Sequence, residues 1–295
     1  MGTARPCDDA ERAELEGYFG PESVMWRVAR ERALVLGGGR AVLMQLAHPL
    51  VAAGVGQHSA YASDPWARAY ATLDLTQRTV FGTCREAREA ARHVNRLHAG
   101  VTGTLDVPAG GYAVGTSYQA RQPDLLLWVF ATLVDTARYM YPLVVGRLSE
   151  ADWETYYQES KRSVRLLGLP EKHIPPTLAD LEAYVADMLN SDALAATPDA
   201  HAVARAVLRI PVPFVLRPAF ALGGEATIGW LPERMREIYG LAWDDRRQWL
   251  LDAGTAGLRR VLPAVPPAFR YNVWAQRAYR RVAAMRWSVD AREAG

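Results

Sequence analysis

Apolar residues recur along the 295-residue chain at the three- and four-residue spacing that is typical of α-helices. One segment departs from this pattern. Between residues 103 and 118, Thr and Val surround Pro108 and the pair Gly110–Gly111, which favours a short hairpin or an irregular loop. The pattern therefore predicts an all-α protein, a single multi-helix domain with at most one short β-hairpin.

Glycine and proline predict how the N-terminal helices end. A helix that opens at Pro21 is expected to stop at Gly37–Gly39. The next helix, residues 40–60, is apolar on nearly all sides, so we expect it to be buried, with a kink at Pro49. Residues 1–20 are interpreted as an N-terminal extension and residues 21–287 as the helical domain.

Capping residues predict further helix starts. Asp64 and Pro65 form an N-cap followed by proline at the first helical position, and Ser149 with Asp152 three residues later is typical of a capping box. Beyond residue 60, the predicted helices span 64–83, 84–101, 123–141, 149–168, 177–191, 197–210, 232–240, 244–262 and 269–287.

Composition excludes several classes of protein. Half of the residues are hydrophobic and 22% are charged, as in a folded domain, and a net charge of +2 is too small to indicate a nucleic-acid partner. No uninterrupted apolar run reaches 18 residues, so we expect no transmembrane segment. The polar, acidic N-terminus predicts no signal peptide and hence a cytoplasmic location. Cys7 and Cys84 are too few and too far apart for a disulfide framework or a metal quartet.

A stripe of polar side chains follows one face of the predicted helix 84–101, and a second follows helix 123–141. A carboxylate inside an otherwise apolar helix needs a partner, because burying it alone is costly. We therefore interpret Asp135, with Thr132, as a structural polar anchor paired with an arginine such as Arg78, Arg92 or Arg96, and a role in a site stays open. The stripes comprise Arg92, Asn95, His98 and Thr102, and Trp128, Thr132, Asp135, Thr136 and Tyr139.

Four segments carry a resemblance to a known family. In this order, "RAVLMQLAHPLVAAGVGQHS", "DPWARA", "RLHAGVTG" and "LLLWVFATLVDT" are similar to the bacterial and fungal family that includes the rubber oxygenase catalytic domain and the mycophenolic acid pathway oxygenase. The resemblance covers residues 20–285. It implies a globin-like helical domain, a b-type haem, and oxidation of a hydrophobic organic substrate.

The resemblance also implies a site between two helices. The proximal histidine of the family falls on Phe130, and phenylalanine cannot ligate iron. The helix on the other side of the haem offers His98, with three polar neighbours. Three alternatives stay open: His98 is the iron ligand, His48 or His58 supplies the bond, or haem binding is lost. The three neighbours of His98 are Arg92, Asn95 and Arg96.

Two functions follow as expectations from the same resemblance. The first is a haem-dependent oxygenase, an oxidoreductase that acts on a small hydrophobic organic substrate. The alternative is a non-catalytic protein of the same fold that has lost haem and binds a small apolar ligand or a partner. No G-x-S-x-G, H-E-x-x-H or C-x-x-C motif is present, so no catalytic residue is named.

The C-terminal segment "FRYNVWAQRAYRRVAAMRW" interleaves arginines with aromatic residues. Such a helix can contact a membrane surface weakly. The alternative that we favour is a terminal helix that packs its aromatic residues inward and extends its arginines to solvent.

Overall fold

The computed structural model describes residues 11–58, 65–209 and 217–293. It confirms the all-α architecture with one two-stranded antiparallel hairpin, in which Thr102 pairs with Gln119. The helices in the N-terminal half are α1 (Glu11–Glu16), α2 (Val24–Ala29), a 3₁₀ helix (Arg32–Gly37), α3 (Gly38–Leu46), α4 (Pro49–His58), α5 (Pro65–Phe81) and α6 (Cys84–Ala99). Next come the strands β1 (Thr102–Thr104) and β2 (Ser117–Gln119) and the helices α7 (Pro123–Val144) and α8 (Glu150–Leu166).

The described part of the C-terminal half consists of helices and the segments that join them. It contains α9 (Leu178–Asn190), α10 (Pro198–Leu208), α11 (Arg217–Trp230), α12 (Glu233–Tyr239), α13 (Asp245–Val261), α14 (Pro267–Arg270) and α15 (Val273–Glu293), with short 3₁₀ turns at Glu171–His173 and Leu262–Ala264.

Helix α7 lies at the centre of the molecule. It packs against α3, α8, α9, α13 and the 3₁₀ helix. Trp128, Ala131 and Thr132 on α7 are fully buried, and Met140 is buried further along the same helix. The apolar segment around Phe130 therefore forms the interior helix that its composition predicts.

The predicted helix stop at Gly37–Gly39 is confirmed only at Gly37, where a 3₁₀ helix ends. The first predicted helix divides into α2 and a 3₁₀ helix, and Gly38 and Gly39 open α3. Close contacts require the glycines: a Cβ on Gly37 would lie 2.8 Å from Met140 Cγ, and one on Gly39 would lie 2.7 Å from Thr227 Oγ1. Gly37 and Gly39 therefore permit close helix packing, in addition to lying at the boundary between the 3₁₀ helix and α3.

Pro49 changes the chain direction more than the predicted kink. The apolar segment divides into Arg32–Leu46 and Pro49–His58, which meet at 107°. Proline suits the first turn of a new helix because it has no amide hydrogen to contribute. Among the described residues, no single helix is long and apolar enough to cross a membrane, although this bent pair passes the same test of length and composition.

Several predicted helix starts are observed. Pro65 and Pro123 begin α5 and α7, while the N-cap predicted at Asp64 lies outside the described residues. Ser149 accepts from the backbone N–H of Asp152, as predicted. The carboxylate of Asp152, however, pairs with Arg27 at 2.5 Å.

Two helices differ from the sequence prediction. No helix was predicted over Arg217–Trp230, where α11 forms, and the final predicted helix divides into α14 and α15. The inward-packing interpretation of the C-terminal segment holds for two of its aromatic residues. Trp274 Nε1 donates to Asp74, and the hydroxyl of Tyr279 accepts from Arg30.

The N-terminus of α6 carries an unpredicted covalent bond. Cys84, which is fully buried there, is disulfide-bonded. The cytoplasmic location stays a prediction. Helix α1, inside the proposed extension, packs against α6 and α15. The division at residue 20 stays a prediction, and residues 1–10 lie outside the described residues.

Candidate functional site

The α7 side of the expected site is a packed aromatic wall. Phe130 is 7% exposed and stacks on Tyr157 of α8, with ring centroids 6.2 Å apart and planes 29° apart. Two residues earlier, the indole N–H of Trp128 donates to the Met44 carbonyl at 3.2 Å. Phe130 therefore packs against another aromatic ring at the position that the family resemblance assigns to a ligand.

Helix α8 adds two residues that the sequence analysis did not assign to the site. The Tyr157 hydroxyl donates to the Pro175 carbonyl at 2.6 Å, and burial raises its pKa. Lys161 donates to the Pro176 carbonyl at 2.5 Å, with its ammonium 4.7 Å from the Tyr157 ring centre. Burial lowers the pKa of Lys161. The scarcity of lysine, with Lys172 as the only other, is the sequence signal that could have drawn attention to Lys161.

The α6 side of the expected site contacts the C-terminal end of α8, whereas Tyr157 lies in the middle of that helix. Asn95 donates to the carbonyl of Leu166 at 3.0 Å, and His98, one turn later, is half-buried with Nδ1 inside the protein. Tyr157 and Leu166 lie about 14 Å apart along the helix axis. A cavity shared by Phe130 and His98 therefore stays a prediction. Arg92 and Arg96 are exposed, so this stripe is only partly internal.

His48 is the most buried of the candidate histidines, with 3% exposure. Its Nδ1 accepts from the Leu50 amide at 3.3 Å, which leaves the proton on Nε2, 3.2 Å from the Tyr112 hydroxyl. Burial lowers the pKa of His48 to about 4, although Asp124 opposes this shift. His48 is therefore neutral at physiological pH, with both ring nitrogens engaged.

His58 lies apart from the α7 wall. Its Nε2 is 3.0 Å from the Thr102 carbonyl on β1, and its ring meets Tyr118 edge-on with 6.4 Å between centroids. His58 is solvent-exposed at the end of α4. His58 is therefore a surface histidine whose contacts join the hairpin to the end of α4.

Asp135 has an arginine partner, although not one of the three that the sequence suggested. Arg40 Nη1 lies 2.7 Å from Asp135 Oδ2, at an angle that gives an ion pair without an aligned hydrogen bond. The Arg40 side chain is 4% exposed and that of Asp135 is 27% exposed. Arg40 also donates to the Thr136 hydroxyl at 2.8 Å and to the Trp230 carbonyl at 2.9 Å.

Thr132 serves its own helix. Its hydroxyl donates to the Val129 carbonyl at 2.8 Å, and the side chain is fully buried. Such a bond satisfies the hydroxyl locally and joins no neighbouring helix. Asp135, Thr136 and Arg40 therefore form a polar link from α7 to α3 and α11, in addition to the bond from Trp128 to Met44.

A small cleft lies beside Asp135, between α7 and α9. Its volume is about 10 Å³, close to the space of one water molecule. Within the described residues, no group of three or more His, Cys, Asp or Glu side chains could hold a metal ion. The cleft is lined by Val134, Asp135, Arg138, Leu178, Leu181, Glu182 and Val185.

Comparison with known proteins places this all-α chain in a class of oxygenase domains. Residues 26–264 match the family described as ER-bound oxygenase mpaB/B'/Rubber oxygenase, catalytic domain. The match covers more than half of the chain, so the protein belongs to this family.

Two curated proteins and one solved structure are also similar to this chain. Uncharacterized proteins of Mycobacterium bovis and Mycobacterium tuberculosis are each 29% identical over 226 residues, covering 71% of this chain and 83% of the relative. The solved structure of latex clearing protein LCP in the closed state matches with a TM-score of 0.58 and 19% identity. That match covers 94% of this chain and 76% of the other, and it shows the shared fold.

The residues present do not fit haem ligation from α7. Phe130 offers no donor atom, and its ring packs against Tyr157. Both nitrogens of His48 are engaged, and His58 lies at the surface. Assignment of His98 as the iron ligand stays a prediction, and no chemical step through haem is derived.

Proposed function

We propose that this chain is an oxygenase-type oxidoreductase that acts on a small hydrophobic organic substrate. The observation that carries the proposal is the family match over residues 26–264, which spans the catalytic domain of rubber oxygenase-type proteins. In this proposal, the apolar wall around Phe130 and Tyr157 binds the substrate through its aromatic faces. The oxygen chemistry is not supplied by iron ligated from α7.

Oxygen uptake tests this proposal. The protein is purified from cells supplied with a haem precursor, and dissolved oxygen is followed with a panel of water-insoluble alkenes and aromatic compounds. The proposal predicts substrate-dependent uptake that heat-denatured protein lacks. The proposal is contradicted if folded protein, purified with whatever cofactor it binds in these cells, consumes no oxygen with any compound of the panel.

We also propose a second candidate function, that of a haem-free protein that binds a small apolar ligand. The observation in its favour concerns the loss of haem: Phe130, at the expected ligand position, offers no donor atom and is stacked on Tyr157. Haem analysis separates the two functions. A colourless protein that binds apolar fluorescent probes and consumes no oxygen supports this candidate, while substrate-dependent oxygen uptake contradicts it.

A further inference from the structure

Helix α13 has a large exposed face. Only Thr255 among its 17 residues is buried. Trp249, Leu250 and Val261 are 68%, 54% and 61% exposed. Large apolar side chains this exposed on one helix are unusual, because burial of such side chains stabilises the fold.

The exposed side chains of α13 form one stripe. At about 100° per residue, Arg246 lies on the opposite side of the helix from buried Thr255. A Cβ added to Gly254, at the edge of the stripe, or to Gly257, within it, would meet no described atom within 4 Å. Nothing in the described part of the chain therefore covers this face. The stripe, named the α13 face below, consists of Arg246, Trp249, Leu250, Ala253, Arg260 and Val261.

The charges on the α13 face are all positive. Arg246 and Arg260 are exposed and have no carboxylate partner among the described residues. The acidic residues of the helix lie to one side: Asp245 and Asp252 are about 100 to 120° around the helix from the centre of the stripe. The carboxylate of Asp252 also accepts from Gln248 at 2.9 Å.

This charge pattern disfavours a second copy of the chain as the partner. In an antiparallel pair of α13 helices Arg246 would face Arg260, and in a parallel pair each arginine would face its own copy. Like charges placed opposite each other destabilise an interface. A bilayer of anionic phospholipid has the complementary chemistry, since it accepts tryptophan and leucine below its headgroups and arginine beside its phosphates.

We propose that the α13 face docks on an anionic phospholipid membrane, with Trp249 and Leu250 inserted and Arg246 and Arg260 paired with lipid phosphates. This differs from the contact predicted for the C-terminal helix. Helix α15 turns Ala275, Ala278 and Val282 into the core, although Trp287 on it is 76% exposed.

Vesicle sedimentation of the full chain tests the proposal. The probes are phosphatidylcholine vesicles with and without phosphatidylglycerol. We expect binding to the mixed vesicles, and a decrease in affinity of about fivefold for each of Arg246→Gln and Arg260→Gln. Trp249→Ser with Leu250→Ser should reduce binding to both kinds of vesicle. All of these side chains are exposed, and thermal melting checks that the variants fold.

Two control variants complete the design. Arg234→Gln changes an arginine on α12 whose side chain is 48% exposed, and it should leave binding unchanged. Trp287→Ser changes the exposed tryptophan of α15 and should also have no effect. Absence of binding to mixed vesicles, or binding that survives both sets of α13 substitutions, overturns the proposal. Loss of binding through Trp287→Ser alone, or a dimer that the α13 substitutions dissociate, overturns it as well.

Discussion

Phe130 of α7 stacks on Tyr157 of α8 with 6.2 Å between ring centroids. The ring occupies the position at which the family resemblance expects a histidine, so this helix contributes packing where a ligand was expected. Tyr157 is itself fixed by its bond to the Pro175 carbonyl at 2.6 Å. Phe130 therefore packs against a ring whose position is fixed. A substitution at Phe130 changes this packing, and a histidine there would also add a possible iron ligand.

Asp135→Ala should destabilise the protein. The substitution leaves the buried Arg40 guanidinium without its carboxylate, although Arg40 keeps its bonds to Thr136 and Trp230. Breaking a buried pair costs about 3–5 kcal/mol, and the partial exposure of Asp135 reduces this to about 1–3 kcal/mol. Urea unfolding measures the change. Glu237→Ala, in an exposed pair with Arg234, should change stability by less than about 0.5 kcal/mol.

An unchanged midpoint for Asp135→Ala, equal to that of Glu237→Ala, would show that the Arg40–Asp135 pair contributes nothing to stability. The anchoring role assigned to Asp135 would then be wrong.

Glu31→Gln should have a larger effect. Glu31 is 1% exposed and receives two bonds from Arg270, at 2.7 and 2.9 Å, across 239 residues of sequence. The neutral glutamine amide cannot form an ion pair with the Arg270 guanidinium, and its NH₂ group would face the guanidinium N–H groups, which are also donors. We therefore expect the free energy of unfolding to decrease by about 3–5 kcal/mol. Thermal unfolding checks this expectation. A loss as small as that of an exposed pair would contradict it.

His48 should make stability depend on pH. Burial lowers the pKa of His48 to about 4 in the folded protein, while its pKa in the unfolded chain is the usual 6.5. Below pH 6.5 the unfolded state therefore binds more protons, so stability is complete above this pH and decreases as the pH falls towards 4. The expected loss from pH 7 to pH 5 is about 2 kcal/mol.

A His48→Gln variant isolates this effect, because glutamine does not titrate and can still donate to Tyr112. The difference in stability between pH 7 and pH 5 should shrink by about 2 kcal/mol in the variant. Equal pH dependence in the two proteins would mean that His48 is not buried in its neutral form.

Local signals in the sequence predicted most helix starts. Helices α5 and α7 begin at Pro65 and Pro123, and Ser149 caps α8, as the sequence predicts. Gly39 misled the prediction because its role depends on Thr227, which is distant in sequence and packs where a Cβ would be. The requirement for glycine at such a position comes from a tertiary contact, and the helix propensities of neighbouring residues carry no information about it.

In the candidate site, too, the sequence predicted which residues matter but not the residues that they contact. A need for a charged partner at Asp135 was readable from its apolar surroundings, but Arg40, on another helix 95 residues earlier, was not identifiable from spacing. Similarly, the resemblance marked Phe130 as a departure from the family, while its contact with Tyr157 required the packing of α7 on α8.

Haem titration of the wild-type protein beside Phe130→His tests the central claim most directly, the claim that α7 holds no iron ligand in this chain. Histidine at this position restores the donor atom that phenylalanine lacks. The account predicts that Phe130→His binds haem at least about tenfold more tightly, with a Soret band typical of axial histidine, and that a control Phe130→Leu does not. A Phe130→His variant that binds haem no more tightly than the wild-type protein and Phe130→Leu would contradict the account, because position 130 would then not be a place from which α7 can ligate iron.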